Sequence, residues 1–205
     1  MKSTRKTFLL ITLSVFMMVG LIPVSQASQV VVQQGDLVEL VNDAGDYKKH
    51  CTIGYIDHER HVAHIAAHCA YDAQNAHIHG QYVGRVDVNP GYFHDRSEDT
   101  AIIQLGSHIA IGENIHSGDI SVTSFMIFPG DELCIYSRMN DSVQCGVVQW
   151  NFDMRRRVSA YIGNTQLGDS GGPTWIKGKG YYGVISTKND VITLSLIHIS
   201  EPTRL

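Results

Sequence analysis

Between Gln29 and Thr193 the chain is a succession of short apolar runs, rich in β-branched and aromatic residues, that turn residues interrupt. Such runs predict β-strands, and no amphipathic stretch of helical length accompanies them. The pattern favours an all-β sandwich or barrel, with a glycine-rich connector between two halves at Gly106 to Asp119. The predicted strands lie at Val30 to Val32, Leu37 to Val41, Cys51 to Ile56, Gln81 to Val88, Thr100 to Leu105, Ile120 to Phe128, Glu132 to Tyr136, Val143 to Phe152, Val158 to Ile162 and Tyr181 to Thr187.

Composition excludes several other classes for a chain of 205 residues. The 19 glycines have no triplet period and the charged residues form no heptads, which excludes collagen-like and coiled-coil proteins. The formal net charge of -4 offers no electrostatic footprint for nucleic acid. We therefore expect a globular protein that does not bind nucleic acid.

The N-terminal segment has the three parts of a secretory signal peptide. Positive charges precede an apolar run from Phe8 to Ile22, and small residues follow, ending at Ala27. A retained membrane anchor is the alternative, but the run is shorter than the roughly 20 residues that span a bilayer. We predict a signal peptide over residues 1–27 and a secreted protein, extracellular or in the cell envelope, with no stable membrane anchor after cleavage.

The C-terminal segment resembles something other than protein-coding sequence. Every residue from Leu194 to Arg204 matches the in-frame translation of a sequencing adapter, L-S-L-I-H-I-S-E-P-T-R. A genuine apolar strand with a polar end is the alternative. We expect residues 194–205 to be a non-native tail.

Four cysteines follow the predicted signal peptide. An even number in an oxidising compartment indicates disulfides, with three possible connectivities. The nearest-neighbour arrangement joins Cys51 with Cys69 and Cys134 with Cys145, and closes two short loops. A zinc site is the competing interpretation, but no C-x-x-C spacing is present.

Two motifs supply side chains for nucleophilic catalysis. His68 lies in the sequence Ala-Ala-His-Cys, and Ser170 lies in Gly-Asp-Ser-Gly-Gly-Pro. A nucleophilic serine needs a base to accept its proton and free backbone N–H groups to face an oxyanion. Each motif alone has a structural explanation, as a buried histidine or a glycine-rich turn. Together, with an aspartate between them in the chain, they predict a catalytic serine.

These motifs resemble those of the trypsin/chymotrypsin-like serine peptidases. In that family an aspartate opens a short apolar strand, as Asp99 does before Thr100 to Leu105. The resemblance extends from about Cys51 to Ser186. The segment from Cys134 to Cys145 resembles the disulfide-closed hairpin of the bacterial secreted branch, which supports the nearest-neighbour disulfides.

The resemblance implies a fold of two antiparallel six-stranded β-barrels with the active site between them. The peptidase domain would occupy residues 28–193. Its first barrel would take about residues 29–110, and its second about residues 119–193. We expect the second barrel to be truncated.

The resemblance also implies a role for each motif residue. Ser170 Oγ would attack the scissile carbonyl, His68 would accept and return its proton, and Asp99 would orient the imidazole. The backbone N–H groups of Gly168 and Ser170 would bind the oxyanion. The implied activity is that of a secreted serine endopeptidase, a monomer that acts on peptides or proteins and uses no cofactor and no metal.

The specificity pocket departs from the trypsin pattern. Asn164 stands six residues before the serine, where trypsin-like members have a carboxylate, so cleavage after Lys or Arg is not favoured. Asn164 is alternatively an ordinary turn residue. Ser186 and Lys188 lie in or beside the strand that would bind substrate, and solvent exposure is the simpler expectation for Lys188.

The activation signal of the family is absent. Its zymogens free an Ile-Val-Gly-Gly-like N-terminus that pairs with the aspartate before the serine, here Asp169, and no such tetrapeptide lies between Ser28 and Cys51. In the bacterial branch an arginine near the hairpin takes this partner role. Arg138 is the nearest candidate.

Two other functions compete with peptide hydrolysis. One is an inactive peptidase-like protein that only binds its partner. The other is a secreted metal-binding protein, because histidines are closely spaced in one part of the chain. These are His58, His61, His64, His68, His77 and His79.

Overall fold

The structure is a computed structural model that describes residues 29–45, 48–90, 99–149, 159–160, 162–163, 165–188 and 191–196. Over residues 159, 187–188 and 191–196 it describes the backbone alone. The predicted signal peptide, Asn164 and the end of the predicted tail lie outside these ranges. Within the described ranges no helix has the length and apolar character needed to cross a membrane.

The first sheet contains seven strands, and its two edges come from one continuous piece of chain. The strand order is β3-β2-β6-β7-β8-β5-β4, and every pairing is antiparallel. Because β3 and β4 follow one another directly, the sheet curls round so that this segment pairs with β2 at one end and β5 at the other. The strands are β2 (Leu37–Val41), β3 (Lys48–Thr52), β4 (Tyr55–Asp57), β5 (Val62–Ile65), β6 (Asn75–Ile78), β7 (Gln81–Val88) and β8 (Ala101–Leu105).

The second sheet contains six antiparallel strands in the order β12-β11-β10-β13-β14-β15. No described residue joins β12 to β15, so this barrel is partial over the described ranges. A separate parallel pair, β1 (Val31–Val32) with β9 (Ala110–Ile111), precedes it. The strands of the second sheet are β10 (Glu132–Ser137), β11 (Ser142–Gln149), β12 (Ser159–Ala160), β13 (Pro173–Ile176), β14 (Gly180–Lys188) and β15 (Val191–Leu196).

Each sheet encloses its own apolar core. In the first, Leu40, Ile65 and Ile103 are fully buried, and in the second Ile135 and Ile185 are. Burying one such side chain stabilises the fold by about 1.5–3 kcal/mol. The two cores therefore hold β5, β8 and β14 in place, and these strands carry the site described below.

A buried glutamine fixes the connector to the first sheet. Gln34 is 1% exposed, and its Oε1 accepts the backbone N–H groups of His116 and Ser117 at 2.8 and 3.1 Å. Its Nε2 donates to the Gly54 carbonyl at 2.8 Å. All the polar atoms of this amide are therefore paired, as burial requires.

The expected fold class, all-β with two antiparallel barrels and the second one partial, is confirmed. Strands β2 and β7 have the predicted bounds, and β8 and β10 differ by one residue at one end. The predicted strands do not include β5, β6, β9, β13 or β15. Strand β6 is largely polar, and β13 begins with proline.

The predicted strand from Ile120 to Phe128 is wrong. Among the described residues, the backbone of this run pairs with a strand around Tyr181, which bonds to Ile120 and Val122 at 2.7 Å. It then forms a 3₁₀ turn, Ser124–Met126. Apolar composition favoured a strand, but continuous strand structure needs a partner along its whole length.

Candidate active site

His68 lies in a single helical turn that directly follows strand β5. This turn, α1 (Ala67–Ala70), is buried except for the histidine, whose side chain is 26% exposed. Small alanines allow the turn to sit in the core, and the disulfide from Cys69 to Cys51 ties it to β3. His68 is therefore held on a rigid turn with one face open.

Asp99 contacts His68 through both carboxylate oxygens. The backbone N–H of His68 donates to Oδ1 at 2.7 Å, and its ring Nδ1–H donates to Oδ2 at 2.6 Å. Strands β5 and β8 are paired with Ile65 opposite Ala101, which places the start of β8 beside α1. With Nδ1 as the donor, Nε2 is free to act as a base.

Ser186, on β14 of the second sheet, also donates a hydrogen bond to Asp99 Oδ2. Sequence reasoning placed this residue in the substrate strand and did not foresee the contact. Burial raises the pKa of Asp99, but the hydrogen bonds and charge of His68 and the Ser186 hydroxyl outweigh it and leave the pKa below its ordinary value. Asp99 therefore stays ionised in a site where it is only 7% exposed.

Ser170 lies in a loop that is bonded to both sheets. Its carbonyl accepts the Thr52 N–H of β3 at 2.8 Å, and Cys51 Sγ lies 2.8 Å from the same oxygen. On the other side Gly171 N–H donates to the Ile185 carbonyl at 2.8 Å. Ser170 is therefore brought next to the disulfide that anchors the His68 turn.

Gly171 must be glycine for this arrangement. Its φ is +85°, and a Cβ there would lie 2.7 Å from Cys51 Sγ and closer still to the Thr52 carbonyl oxygen. Only glycine combines this backbone conformation with so close an approach.

The structure does not join Ser170 Oγ to His68 Nε2 by a hydrogen bond within the described residues. Cys69 Sγ lies 3.7 Å from Nε2. Catalytic hydrogen bonds are often long without substrate and tighten when it binds.

The predicted oxyanion donors lie on the same loop. Gly168 has a φ of +107°, and its carbonyl accepts the Thr52 hydroxyl at 2.7 Å, which orients the following peptide. Among the described residues no acceptor takes the N–H of Gly168 or of Ser170.

The predicted pairing of Arg138 with Asp169 is wrong. Arg138 is exposed and interacts with the Tyr136 hydroxyl and the charges of Asp36 and Asp141. The Asp169 carboxylate instead accepts the Ser137 hydroxyl, which sequence reasoning missed because nothing in a single serine signals a distant aspartate.

Both predicted disulfides are present, Cys51 with Cys69 and Cys134 with Cys145. The second joins residues that face each other directly on β10 and β11.

The structure describes no side chain for two of the predicted substrate-binding residues, Asn164 and Lys188. Asn164 is outside the described residues, and for Lys188 only the backbone, opposite Val191, is described.

The closely spaced histidines have separate surroundings. His64 is 4% exposed, while His58 and His61 bond to the carbonyls of Gly112 and Gly106. The described residues include no group of three or more metal-ligating side chains.

Two antiparallel sheets of this kind, with His68 and Asp99 from one and the Ser170 loop on the other, define the trypsin-like serine protease fold. No protein-family model matches the chain, and no curated protein matches it.

Solved structures establish the fold. The chain resembles Thermobifida fusca protease A at 18% identity over 82% of this chain and 93% of that one, with a TM-score of 0.55. It resembles an α-lytic protease homologue, N4, at 17% identity over 82% and 94%, with a TM-score of 0.54. A glutamic acid-specific serine protease, which uses a histidine triad in substrate binding, matches at 16% identity over 80% and 90%, with a TM-score of 0.53.

Proposed function

We propose that this protein is a secreted serine endopeptidase that cleaves peptide bonds through His68, Asp99 and Ser170. The observation that carries the proposal is the double hydrogen bond from His68 to Asp99, at 2.7 and 2.6 Å, beside a loop that presents Ser170. Such a constellation on a trypsin-like fold suits acyl transfer to serine.

In this reaction Ser170 Oγ attacks the substrate carbonyl carbon while His68 Nε2 accepts its proton. The carbonyl π electrons move onto oxygen, and the N–H groups of Gly168 and Ser170 stabilise that charge. Collapse breaks the C–N bond, and His68 gives its proton to the departing amine. Water then attacks the acyl-enzyme with His68 again as base, releasing the acid and restoring Ser170.

Asp99 contributes by orientation and charge. Its carboxylate keeps the proton on Nδ1, so that Nε2 faces the nucleophile, and it stabilises the imidazolium that forms. The Ser186 hydroxyl supports this charge from the second sheet.

Strand β14 offers a place for the substrate backbone. It pairs with β13 as far as Val184, and Ile185 bonds to Gly171 and Gly172. Beyond this point, within the described residues, residues 186–188 have no partner strand on that side. An extended substrate would add as a strand there.

Secretion belongs to the same proposal. Disulfides persist in oxidising compartments, and both cysteine pairs are bonded. The lack of a trypsin-like carboxylate at Asn164 argues against Lys or Arg before the cleaved bond.

The test is labelling by a fluorophosphonate, together with hydrolysis of a mixed peptide library. Wild type should label and cleave, Ser170→Ala should do neither, and the exposed control Ser107→Ala should behave as wild type. Equal labelling of Ser170→Ala and wild type would refute the assignment. A folded wild type that binds peptides without labelling would point instead to an inactive binding protein.

A further inference from the structure

The Asp169 carboxylate is fully buried, directly before the proposed nucleophile. Its Oδ2 accepts the Ser137 hydroxyl and the Gln166 N–H, each at 2.8 Å, and its Oδ1 accepts the Met139 N–H at 3.0 Å. A buried carboxylate is costly unless such donors satisfy it.

Each of the three donors to this carboxylate in the described part of the chain is uncharged. Within the described residues no lysine, arginine or histidine forms an ion pair with Asp169. Two of the three donors come from the hairpin turn, residues 137–141, between β10 and β11. The hairpin turn therefore satisfies the buried Asp169 carboxylate, a role that a cation or a liberated amine would otherwise fill.

Further contacts join the hairpin turn to the nucleophile loop, residues 166–172. Gln166 Nε2 donates to Asn140 Oδ1 at 2.7 Å, and the Asn140 N–H donates to Ser137 Oγ at 3.2 Å. The Ser137 hydroxyl thus accepts from its own turn while donating to Asp169. Met139 lies over Gly168, where an added Cβ would be 2.7 Å from Sδ.

The hairpin turn is itself braced from two sides. The Tyr136 hydroxyl donates to Asp141 Oδ1 at 2.7 Å across its ends. The disulfide from Cys134 to Cys145 closes the strands that carry it. A braced turn bonded to Asp169 constrains the N–H groups on either side of that residue, at Gly168 and Ser170.

We propose that the hairpin turn, through Ser137 and Asp169, holds the nucleophile loop in its active shape without a liberated N-terminal amine. Ser137 is then a positioning residue for the oxyanion donors. This inference rests on the proposed function. It differs from the arginine pairing expected from the sequence, because the uncharged hydroxyl takes that place.

The first experiment compares Ser137→Ala with Thr174→Val. Both substitutions remove a fully buried hydroxyl of the second sheet, and the Thr174 hydroxyl donates to the Gly183 carbonyl, at 2.9 Å. In Ser137→Ala, kcat should fall at least about tenfold with KM nearly unchanged, because oxyanion binding acts in the transition state. Thr174→Val should keep wild-type kcat. Unchanged kcat in Ser137→Ala, or an equal loss in Thr174→Val, would overturn the proposal.

If Ser137→Ala does not fold, two variants of the exposed residue Asn140 test the same proposal. Asn140→Ala removes the acceptor for Gln166, whereas Asn140→Asp retains it. We expect kcat to drop about threefold in the alanine variant and to recover in the aspartate variant. Equal kcat in both variants and wild type would count against the hairpin turn as the positioning element.

The second experiment concerns the N-terminus. It compares two forms of the chain that begins at Ser28. One form has a free N-terminal amine, and the other carries a short glycine–serine extension that moves the amine away from the fold. The two should label with fluorophosphonate at the same rate. A loss of about 100-fold or more on extension would show that an amine is required and would overturn the proposal.

Failure of this inference is distinguishable from failure of the proposed function. If wild type neither labels nor cleaves, the proposed function fails. Hydrogen exchange of the Met139 and Gln166 amides still tests the hairpin turn, because both amides bond to Asp169. Their exchange should quicken in Ser137→Ala relative to Thr174→Val, and equal protection would contradict the inference.

Discussion

His68 and Asp99 are joined by two hydrogen bonds, one from the backbone N–H at 2.7 Å and one from the ring Nδ1 at 2.6 Å. The first fixes the carboxylate relative to the helical turn, and the second fixes the imidazole tautomer. Because the two bonds end on different oxygens, rotation of either side chain breaks at least one of them. The two bonds therefore fix the relative positions of the carboxylate and the imidazole.

Replacement of Asp99 by Asn tests the importance of the tautomer. An amide can donate to Nδ1, which would leave the ring proton on Nε2, where it blocks the base. We expect kcat to fall by about 10⁴-fold with the structure retained. The measurement is peptide hydrolysis at neutral pH, with the exposed Asp87→Asn as the control. Equal losses in the two variants would contradict the role of Asp99.

Gly171→Ala tests the close approach of the nucleophile loop to β3. The added Cβ would lie 2.7 Å from Cys51 Sγ at a φ of +85°, so the loop must shift. We expect a loss of about 3 kcal/mol in unfolding free energy and loss of labelling at Ser170. Gly178→Ala is the matched control, since its φ is +76° and a Cβ there meets nothing within 4 Å. It should cost about 1 kcal/mol and leave labelling intact, and similar behaviour of both variants would refute the steric argument.

The buried His64 should make the stability of the fold depend on pH. Burial is the main cause that lowers its pKa from 6.5 to about 4, with Asp57 and Arg60 acting in opposite directions. Among the described residues, its Nε2 has no hydrogen-bond partner. Since the unfolded chain binds a proton at higher pH than the folded one, stability is full above pH 6.5 and falls between about pH 6.5 and 4. This group then accounts for a loss of about 3 kcal/mol.

Urea unfolding over this pH range measures the effect. The His64→Leu variant should lose that part of the slope, because leucine fills a similar volume and does not titrate. A variant curve parallel to that of wild type between pH 6.5 and 4 would show that His64 is not responsible.

Local sequence patterns were sufficient to predict the structure where polar and apolar residues alternate along a strand or where a motif has a fixed spacing. Strand β7 has its predicted bounds, and its residues from Arg85 to Val88 alternate between polar and apolar, which favours a strand. The cysteine pairs could be predicted because each pair closes a short loop, with sequence separations of 18 and 11. The Asp99 prediction depended on the apolar strand that follows it.

Hydrogen-bond partners that are distant in the sequence could not be predicted in the same way. Ser186 bonds to Asp99 across 87 positions, and Ser137 bonds to Asp169 across 32. A serine hydroxyl bonds equally well to any acceptor within reach, so its own neighbours in the chain do not identify the partner. The resemblance to the bacterial branch made Arg138 the candidate partner of Asp169, but the adjacent Ser137 is the buried residue that bonds to it.

The sequence by itself determined the all-β class and the motifs that present His68 and Ser170, and the family resemblance favoured the two disulfides that the structure contains. The tertiary structure alone decided that Ser186 joins His68 at Asp99 and that Ser137 bonds to Asp169. The physical reason is that strand propensity and short loops act along the chain, whereas a buried carboxylate takes the donors that packing brings to it. Those donors, from β14 and from the hairpin turn, give the candidate active site its shape.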